Sequence, residues 1–192
     1  GDKYMKLERV LPYVKTLLKS SVSPGDIVID GTAGNGHDTL FLAELVGSTG
    51  HVYAFDVQQT AIDSTLLRVA EWQESVSVIH AGHESISNYV SKEISAAVFN
   101  LGYLPGTNHS IITQPHTTIE AIESCLNLLK VNGLIVVVVY HGHEGGAEER
   151  DVLLNYVSSL PQSFVHVLKY EFLNQQNHPP FVLVIEKMKS QR

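Results

Sequence analysis

Four places in the chain hold residues whose types and spacing could do chemistry. The first is Asp30-Gly31-Thr32-Ala33-Gly34-Asn35-Gly36-His37-Asp38-Thr39. Its three glycines and single alanine leave little side-chain bulk, so backbone amides can approach a ligand where a helix begins. The second is Asp56, with Val57 and Gln58 behind it, closing the apolar run His51-Val52-Tyr53-Ala54-Phe55. A carboxylate at the carboxyl end of a parallel strand lies where open α/β sheets bind ligands. There it accepts hydrogen bonds from the two hydroxyls of a ribose, which points to an adenosine-containing cofactor. The third is Asn100-Leu101-Gly102-Tyr103, an amide and an aromatic ring after another apolar run. The fourth is His141-Gly142-His143-Glu144, again at the end of an apolar run.

The glycine spacing chooses among cofactors. A dinucleotide fingerprint reads G-x-G-x-x-G and opens a helix whose dipole meets a pyrophosphate. Here the glycines fall at Gly31, Gly34 and Gly36, between Asp30 and Asp38. Two carboxylates would repel a pyrophosphate but suit a ligand carrying an ammonium and a sulfonium, S-adenosylmethionine (SAM). The pattern Asp-Gly-Thr-Ala-Gly-x-Gly is similar to the first motif of class I SAM-dependent methyltransferases. In those enzymes the end of the third strand borders the adenine, a place that falls here on Gly82 or His83.

Asn100-Leu101-Gly102-Tyr103 is similar to the Asn-Pro-Pro-Tyr motif of amino-methylating enzymes, with Leu101-Gly102 in place of the two prolines. In that motif the Asn side chain and the next carbonyl accept hydrogen bonds from the target amine and aim its lone pair. Positioning is most of what methyl transfer requires, because the donor is already activated. His141, His143 and Glu144 read as lining of the substrate pocket, with a histidine taking the proton an amine loses on methylation. A metal site is the competing reading of His141-x-His143-Glu144. No second cluster with ligand spacing accompanies it, and no metal is expected. Asn177-His178-Pro179-Pro180-Phe181 imitates the same motif, but its two prolines read as a turn before an edge strand, far from the fourth strand.

These places need a scaffold of alternating strands and helices. Leu7, Val10, Leu11, Val14, Leu17 and Leu18 recur at helical spacing and predict an amphipathic helix within 5–22. Its Lys6, Arg9, Lys15 and Lys19 read as a solvated face. Asp26–Ile29, His51–Phe55, Val76–His80, Ile94–Phe99 and Leu134–Tyr140 read as strands. Helices are expected over 58–72 and 117–130, the latter capped by Asn132-Gly133. Leu134–Val139 is continuously aliphatic, as strands buried on both faces are. Phe164–Phe172 and Phe181–Glu186 then follow as strands with no helix between them. Alternation and a closing hairpin predict an α/β fold, a doubly wound sheet.

Composition fits one domain across 1–192: 44% hydrophobic and 17% charged residues, with a net charge of −7. That charge opposes broad nucleic-acid affinity, leaving room for a local basic patch. The single Cys125 excludes an internal disulfide and falls in a helical apolar pattern, as a core residue would. No apolar run reaches membrane-spanning length and no signal peptide is visible, so a cytoplasmic chain is expected. Gly1 to Tyr4, ahead of Met5, read as an expression remnant.

Together, Asp-Gly-Thr-Ala-Gly-Asn-Gly-His-Asp-Thr, Phe-Asn-Leu-Gly-Tyr-Leu-Pro-Gly and Tyr-His-Gly-His-x-Gly-Gly resemble the YtqB-like, or MnmM-type, methyltransferases, small bacterial proteins once labelled rRNA methylases. The resemblance implies a Rossmann-like, mostly parallel seven-stranded sheet with a C-terminal antiparallel hairpin. It implies SAM-dependent N-methylation of 5-aminomethyl-2-thiouridine at the tRNA wobble position, in the anticodon stem-loop, by a cytoplasmic homodimer. Carried over, Asn35, His37 and Asp38 meet the methionine end of SAM, within a cofactor set running over Asp30, Thr32, Ala33, Gly34, Gly36 and Thr39. Asp56, Val57 and Gln58 hold the ribose, and Gly82 and His83 border the adenine. Asn100, Leu101, Gly102 and Tyr103 face cofactor and amine, with His141, His143 and Glu144 around the uridine. A wobble base is already unpaired, so extruding it costs little. Other readings stand beside this one: rRNA or a small-molecule amine as substrate, a nicotinamide oxidoreductase, or a non-catalytic SAM-binding module.

Overall fold

A computed structural model describes residues 5–102 and 115–190. Seven strands form one sheet: β1 (Ile27–Asp30), β2 (His51–Asp56), β3 (Val76–His80), β4 (Ile94–Leu101), β5 (Leu129–Val139), β6 (Val165–Tyr170) and β7 (Phe181–Lys187). The helices are α1 (Val10–Ser21), α2 (His37–Val46), α3 (Gln59–Arg68), α4 (Ile86–Tyr89), α5 (Pro115–Leu128) and α6 (Gly146–Ser158). The strand order is β3-β2-β1-β4-β5-β7-β6. The first five strands run parallel, and β7 pairs antiparallel with both β5 and β6. The chain goes outward from β1 to β3 and returns to lay β4 on the other side of β1. That reversal is the crevice-forming switch point of an open sheet.

Helices cover both faces. Val10, Val14 and Leu18 of α1 and Leu42, Ala43 and Val46 of α2 bury against one face. Ala121, Ile122, Cys125 and Leu126 of α5 pack with Leu153 and Val157 of α6 on the other. Burying so many aliphatic side chains, each contributing about 1.5–3 kcal/mol, fixes strand order and register. Cys125 is fully buried, as its helical spacing predicts, and burial pushes its thiol pKa up.

Local departures from the sequence reading have physical causes. The lead-in helix begins at Val10, and Leu7 and Leu11 are exposed. Lys15 and Lys19 of its basic face lie 5.5 and 5.9 Å from the Phe41 ring, covering it as cations over a π face. The 58–72 helix breaks into α3 and a short turn at Ala70–Trp72, because Val69 leaves helical geometry (φ −101°, ψ 19°) and is itself buried. Helix α5 stops at Leu128, so Asn132-Gly133 caps no helix. Leu129 already pairs with Ile94, and the chain loops outward through Asn132 at φ 70° before pairing resumes at Leu134 with Ala96.

The largest correction concerns the hairpin. The sequence reading makes Phe181–Glu186 an edge strand, whereas β7 lies inside the sheet and β6 is the edge. Phe181-Val182-Leu183-Val184-Ile185 is apolar on both faces and every residue is buried, whereas β6 is exposed along four of its six positions. A two-sided apolar run gains more from an interior position than an alternating one does.

Candidate functional site

The glycine loop sits where β1 ends. Asp30 is fully buried, and its carboxylate accepts hydrogen bonds from the Thr32 amide (3.1 Å) and the Thr39 hydroxyl (2.7 Å). The residue closing the strand thus fastens both the loop and the first turn of α2. Gly31 donates its amide to the Val98 carbonyl at 2.8 Å, and a Cβ there would lie 2.2 Å from the Phe99 ring. Gly36 begins α2 at φ 85°, a left-handed conformation that glycine adopts freely. Helix α3 props the loop from outside. The Thr65 hydroxyl donates to the Gly34 carbonyl at 3.1 Å, and Arg68 Nε donates to the Asn35 carbonyl at 2.7 Å. Asn35 and His37 are exposed, and Ala33 is buried with its amide on the Phe55 carbonyl.

Carboxylates concentrate around this loop. Burial, and then the charge of Asp38, push Asp30 up from 3.8 to about 7, while its bonds from Thr39 and Thr32 act the other way. Asp38 Oδ2 accepts a 2.8 Å hydrogen bond from Asn100 Nδ2. Asp56, at the tip of β2, accepts the Gly34 amide on one oxygen and the Gln58 amide on the other, both at 2.9 Å. A carboxylate has about four lone-pair sites, so Asp56 keeps acceptor capacity for a pair of hydroxyls. Val57 is exposed and Gln58 half-buried.

His83 follows β3, Ala81 and Gly82. Its Nδ1–H donates to the Gly31 carbonyl at 3.2 Å, and its ring stands edge-on to Phe99 with centroids 5.5 Å apart. The carbonyl can only accept, so Nδ1 carries the proton and Nε2 is an acceptor. Nε2 is buried with no partner among the described residues, and burial holds the imidazole below its usual pKa, neutral. A buried, unpartnered acceptor beside this loop fits the amino group of an adenine.

The ends of β4 and β5 make the other half. Asn100 donates its backbone amide to Thr32 Oγ1 at 2.7 Å, joining β4 to the glycine loop. With Nδ2 on Asp38, the Asn100 side-chain oxygen is left as an acceptor. Leu101 is buried; Gly102 follows at φ 77°, where a Cβ would lie 2.3 Å from the Tyr140 carbonyl oxygen and 2.6 Å from His143 Cε1. Tyr103 lies outside the described residues, as does most of the polar stretch after it. His143 Nε2 is 3.6 Å from Glu149 Oε2, an ion-pair distance too long for a hydrogen bond. Burial raises the pKa of Glu149, with His143 acting in the opposite direction. Glu144 is exposed.

His141 is held differently. Its Nε2–H donates to the Pro179 carbonyl at 3.1 Å, and Nδ1 is buried with no partner among the described residues. Burial, assisted by Arg150 and His178, keeps it below the usual histidine pKa. The His178 and Phe181 rings lie 5.8 and 5.7 Å from it. The Asn177–Phe181 turn, read from sequence as remote, therefore reaches the carboxyl edge, because β7 pairs with β5 and sets Phe181 opposite Val139. Among the described residues no three His, Cys, Asp or Glu side chains gather as a metal site.

The family model described as "Putative rRNA methylase" matches residues 52–186. The chain belongs to this family. It is 40% identical over 178 residues to the chloroplastic tRNA (mnm(5)s(2)U34)-methyltransferase of Arabidopsis thaliana. That match covers 86% of this chain and 65% of the plant protein, so the chain spans just under two thirds of that relative. A Clostridium thermocellum protein solved under a similar description superposes with a TM-score of 0.93 at 39% identity, over 96% of this chain and 100% of its own. A Streptococcus mutans protein described as a methyltransferase, solved in complex with SAH, gives 0.87 at 40% identity, over 95% and 99%. The fold is that of the SAM-dependent methyltransferases, as the family resemblance implies.

The contacts above bring in residues that the sequence reading left out. Glu149 is one; the only sequence signal was a carboxylate one turn inside the helix that Gly145-Gly146 opens. Thr65 and Arg68, which brace the loop, read from sequence as ordinary helix-surface residues. His178 and Pro179 carried a motif-like signal but were assigned to a turn, because strand order is not written in the local pattern.

Proposed function

We propose that this chain is a SAM-dependent N-methyltransferase that converts 5-aminomethyl-2-thiouridine to 5-methylaminomethyl-2-thiouridine at the wobble position of tRNA. The observation that carries it is Asn100: its Nδ2 donates a hydrogen bond to Asp38, which orients the amide and leaves the side-chain oxygen as an acceptor at the crevice beside the glycine loop. A hydrogen-bond acceptor there suits a target with N–H to give. The plant relative, a tRNA (mnm(5)s(2)U34)-methyltransferase by name, supports the substrate.

The donor set fits SAM, which supplies a methyl group already activated on a sulfonium. Asp38 places negative charge beside the loop where a cationic donor would sit, joined by Asp30 as it ionises above about pH 7; Asp56 keeps acceptors for ribose hydroxyls, and His83 Nε2 offers an acceptor to adenine. Asn100, with Leu101 and Tyr103, orients the amine so that its lone pair faces the donor. The amine must lose a proton as its nitrogen forms the new bond. His143, with Glu149 near it to stabilise an imidazolium, is the acceptor. His141 shapes the pocket wall, since its Nε2–H is committed to Pro179. Holding both reactants in line supplies most of the acceleration.

The same reading includes a homodimer. It also includes action wherever the tRNA is used, in a bacterial cytoplasm or, as the plant name states, a chloroplast. The described residues contain no helix long and apolar enough to cross a membrane. The family description favours rRNA as the second reading.

Nucleoside mass spectrometry decides between them. Bulk tRNA and rRNA from cells lacking the activity are incubated with protein and SAM. A one-methyl gain on 5-aminomethyl-2-thiouridine is the expected result; a gain in rRNA alone overturns the tRNA reading. Asn100→Ala should lower kcat about ten- to a hundredfold, the worth of a hydrogen bond to the reacting group. Full activity would remove Asn100 from the amine.

A further inference from the structure

We propose that the loop between β6 and β7, residues 171–180, is the surface that reads the unstacked bases flanking the target nucleotide. The inference rests on the tRNA reading above and concerns a segment that reading does not use.

Topology puts the loop in reach. Leu101 of β4 pairs with Val139 of β5, which pairs with Phe181 of β7. Three neighbouring strands span about 10 Å, and the chain just before Phe181 extends past the same sheet edge as Asn100. The loop is also held firmly. On one leg Pro179 accepts the His141 hydrogen bond, and the His178 ring stands edge-on to that histidine. On the other, Tyr170 stacks on Tyr13 with centroids 4.0 Å apart, and Phe172 packs edge-on to Tyr170. Asn177 and His178 take successive left-handed conformations, φ 66° and 52°. Non-glycine residues persist there only where the surroundings fix them, a recurrent feature of binding loops.

The exposed side chains are of a particular kind. Between Phe172 and Pro179 the chain reads Leu173-Asn174-Gln175-Gln176-Asn177-His178, and all six are exposed, Leu173 at 91%. The segment presents four amides, one imidazole and one bare aliphatic group, with no lysine, arginine or carboxylate. Amides pair donor-and-acceptor with base edges, and an exposed apolar group packs on a base face. Amides also reach phosphate oxygens, but they lack the charge by which Lys and Arg dominate backbone binding. In a chain of net charge −7, selectivity through neutral base contacts avoids reliance on overall charge.

Two variants test this in the full-length protein. Asn177→Gly removes an amide while tolerating the left-handed backbone, and Leu173→Ser removes the apolar tip. Binding to a tRNA anticodon stem-loop carrying 5-aminomethyl-2-thiouridine is measured across a salt series, with SAM affinity and melting temperature alongside. Each variant should raise the RNA Kd about tenfold, leave SAM binding and Tm unchanged, and keep the slope of log Kd against log salt. An equal loss of affinity for a stem-loop whose flanking bases have been changed would mean backbone contacts and overturn base reading. Wild-type affinity in both variants would overturn the role of the loop. If the wild-type protein neither binds nor methylates the stem-loop, the tRNA reading falls and the inference with it. A protein that methylates tRNA equally well with both substitutions defeats the inference alone.

Discussion

Replacing Asp30 by Asn tests the electrostatics of the loop directly. In the folded chain Asp30 is fully buried, and burial together with Asp38 raises its pKa from 3.8 to about 7. In the unfolded chain the carboxyl titrates near 3.9. Between these limits the folded state holds a proton the unfolded state has released, so this group's contribution is fully favourable below about pH 4. It is lost progressively as pH rises through about 7. The span is some three pH units, each worth about 1.4 kcal/mol, so ionised Asp30 costs the ligand-free fold up to about 4 kcal/mol. Asn fits the same hydrogen bonds: its oxygen can accept from the Thr32 amide, and its Nδ2 can donate to a rotated Thr39 hydroxyl. Thermal melts from pH 4 to 9 should therefore show Asp30→Asn close to wild type at pH 4, ahead of it by pH 5 as the unfolded carboxyl ionises, and exceeding it by roughly 8–16 °C at pH 8.5. SAM affinity should move the other way, falling in the variant most at high pH, where the wild-type carboxylate carries its charge behind the loop. A difference in Tm between the two proteins that does not vary with pH would refute this account.

Two further outcomes follow from contacts already described. Gly31→Ala sets a methyl 2.2 Å from a buried Phe99 that His83 holds on its edge; it should destabilise by about 1–3 kcal/mol and weaken SAH binding. An unchanged Tm would show that Phe99 moves aside at no cost. Glu149→Gln keeps shape and removes a charge 3.6 Å from His143, in a pair about a quarter exposed. At near-aqueous screening that charge is worth about 1 kcal/mol, so kcat at pH 7 should fall roughly fivefold with SAM affinity unchanged. A loss confined to SAM affinity would assign Glu149 to the cofactor side instead.

Sequence by itself determined the elements and half of the site. The glycine loop, Asp56 and Asn100 are local: each closes an apolar run, and a carboxylate or amide after a parallel strand lies at the ligand-binding edge wherever that strand is placed. The aliphatic run Leu134–Val139 likewise announced a central strand, since no other position buries both faces. Residues brought together by strand order were not legible. Phe181–Ile185 carries the same two-sided apolar signal as β5, yet the prolines before it read as the mark of an edge. Only pairing with β5 gave β7 its interior place and carried His178 and Pro179 to His141. Glu149 and Arg68 gain meaning the same way, because helix-surface residues acquire roles from what packs beside them. Asp30 needed the tertiary structure most. Its place beside the loop was clear from spacing, but the proton it holds near neutral pH comes from complete burial and from the Asp38 charge packed against it.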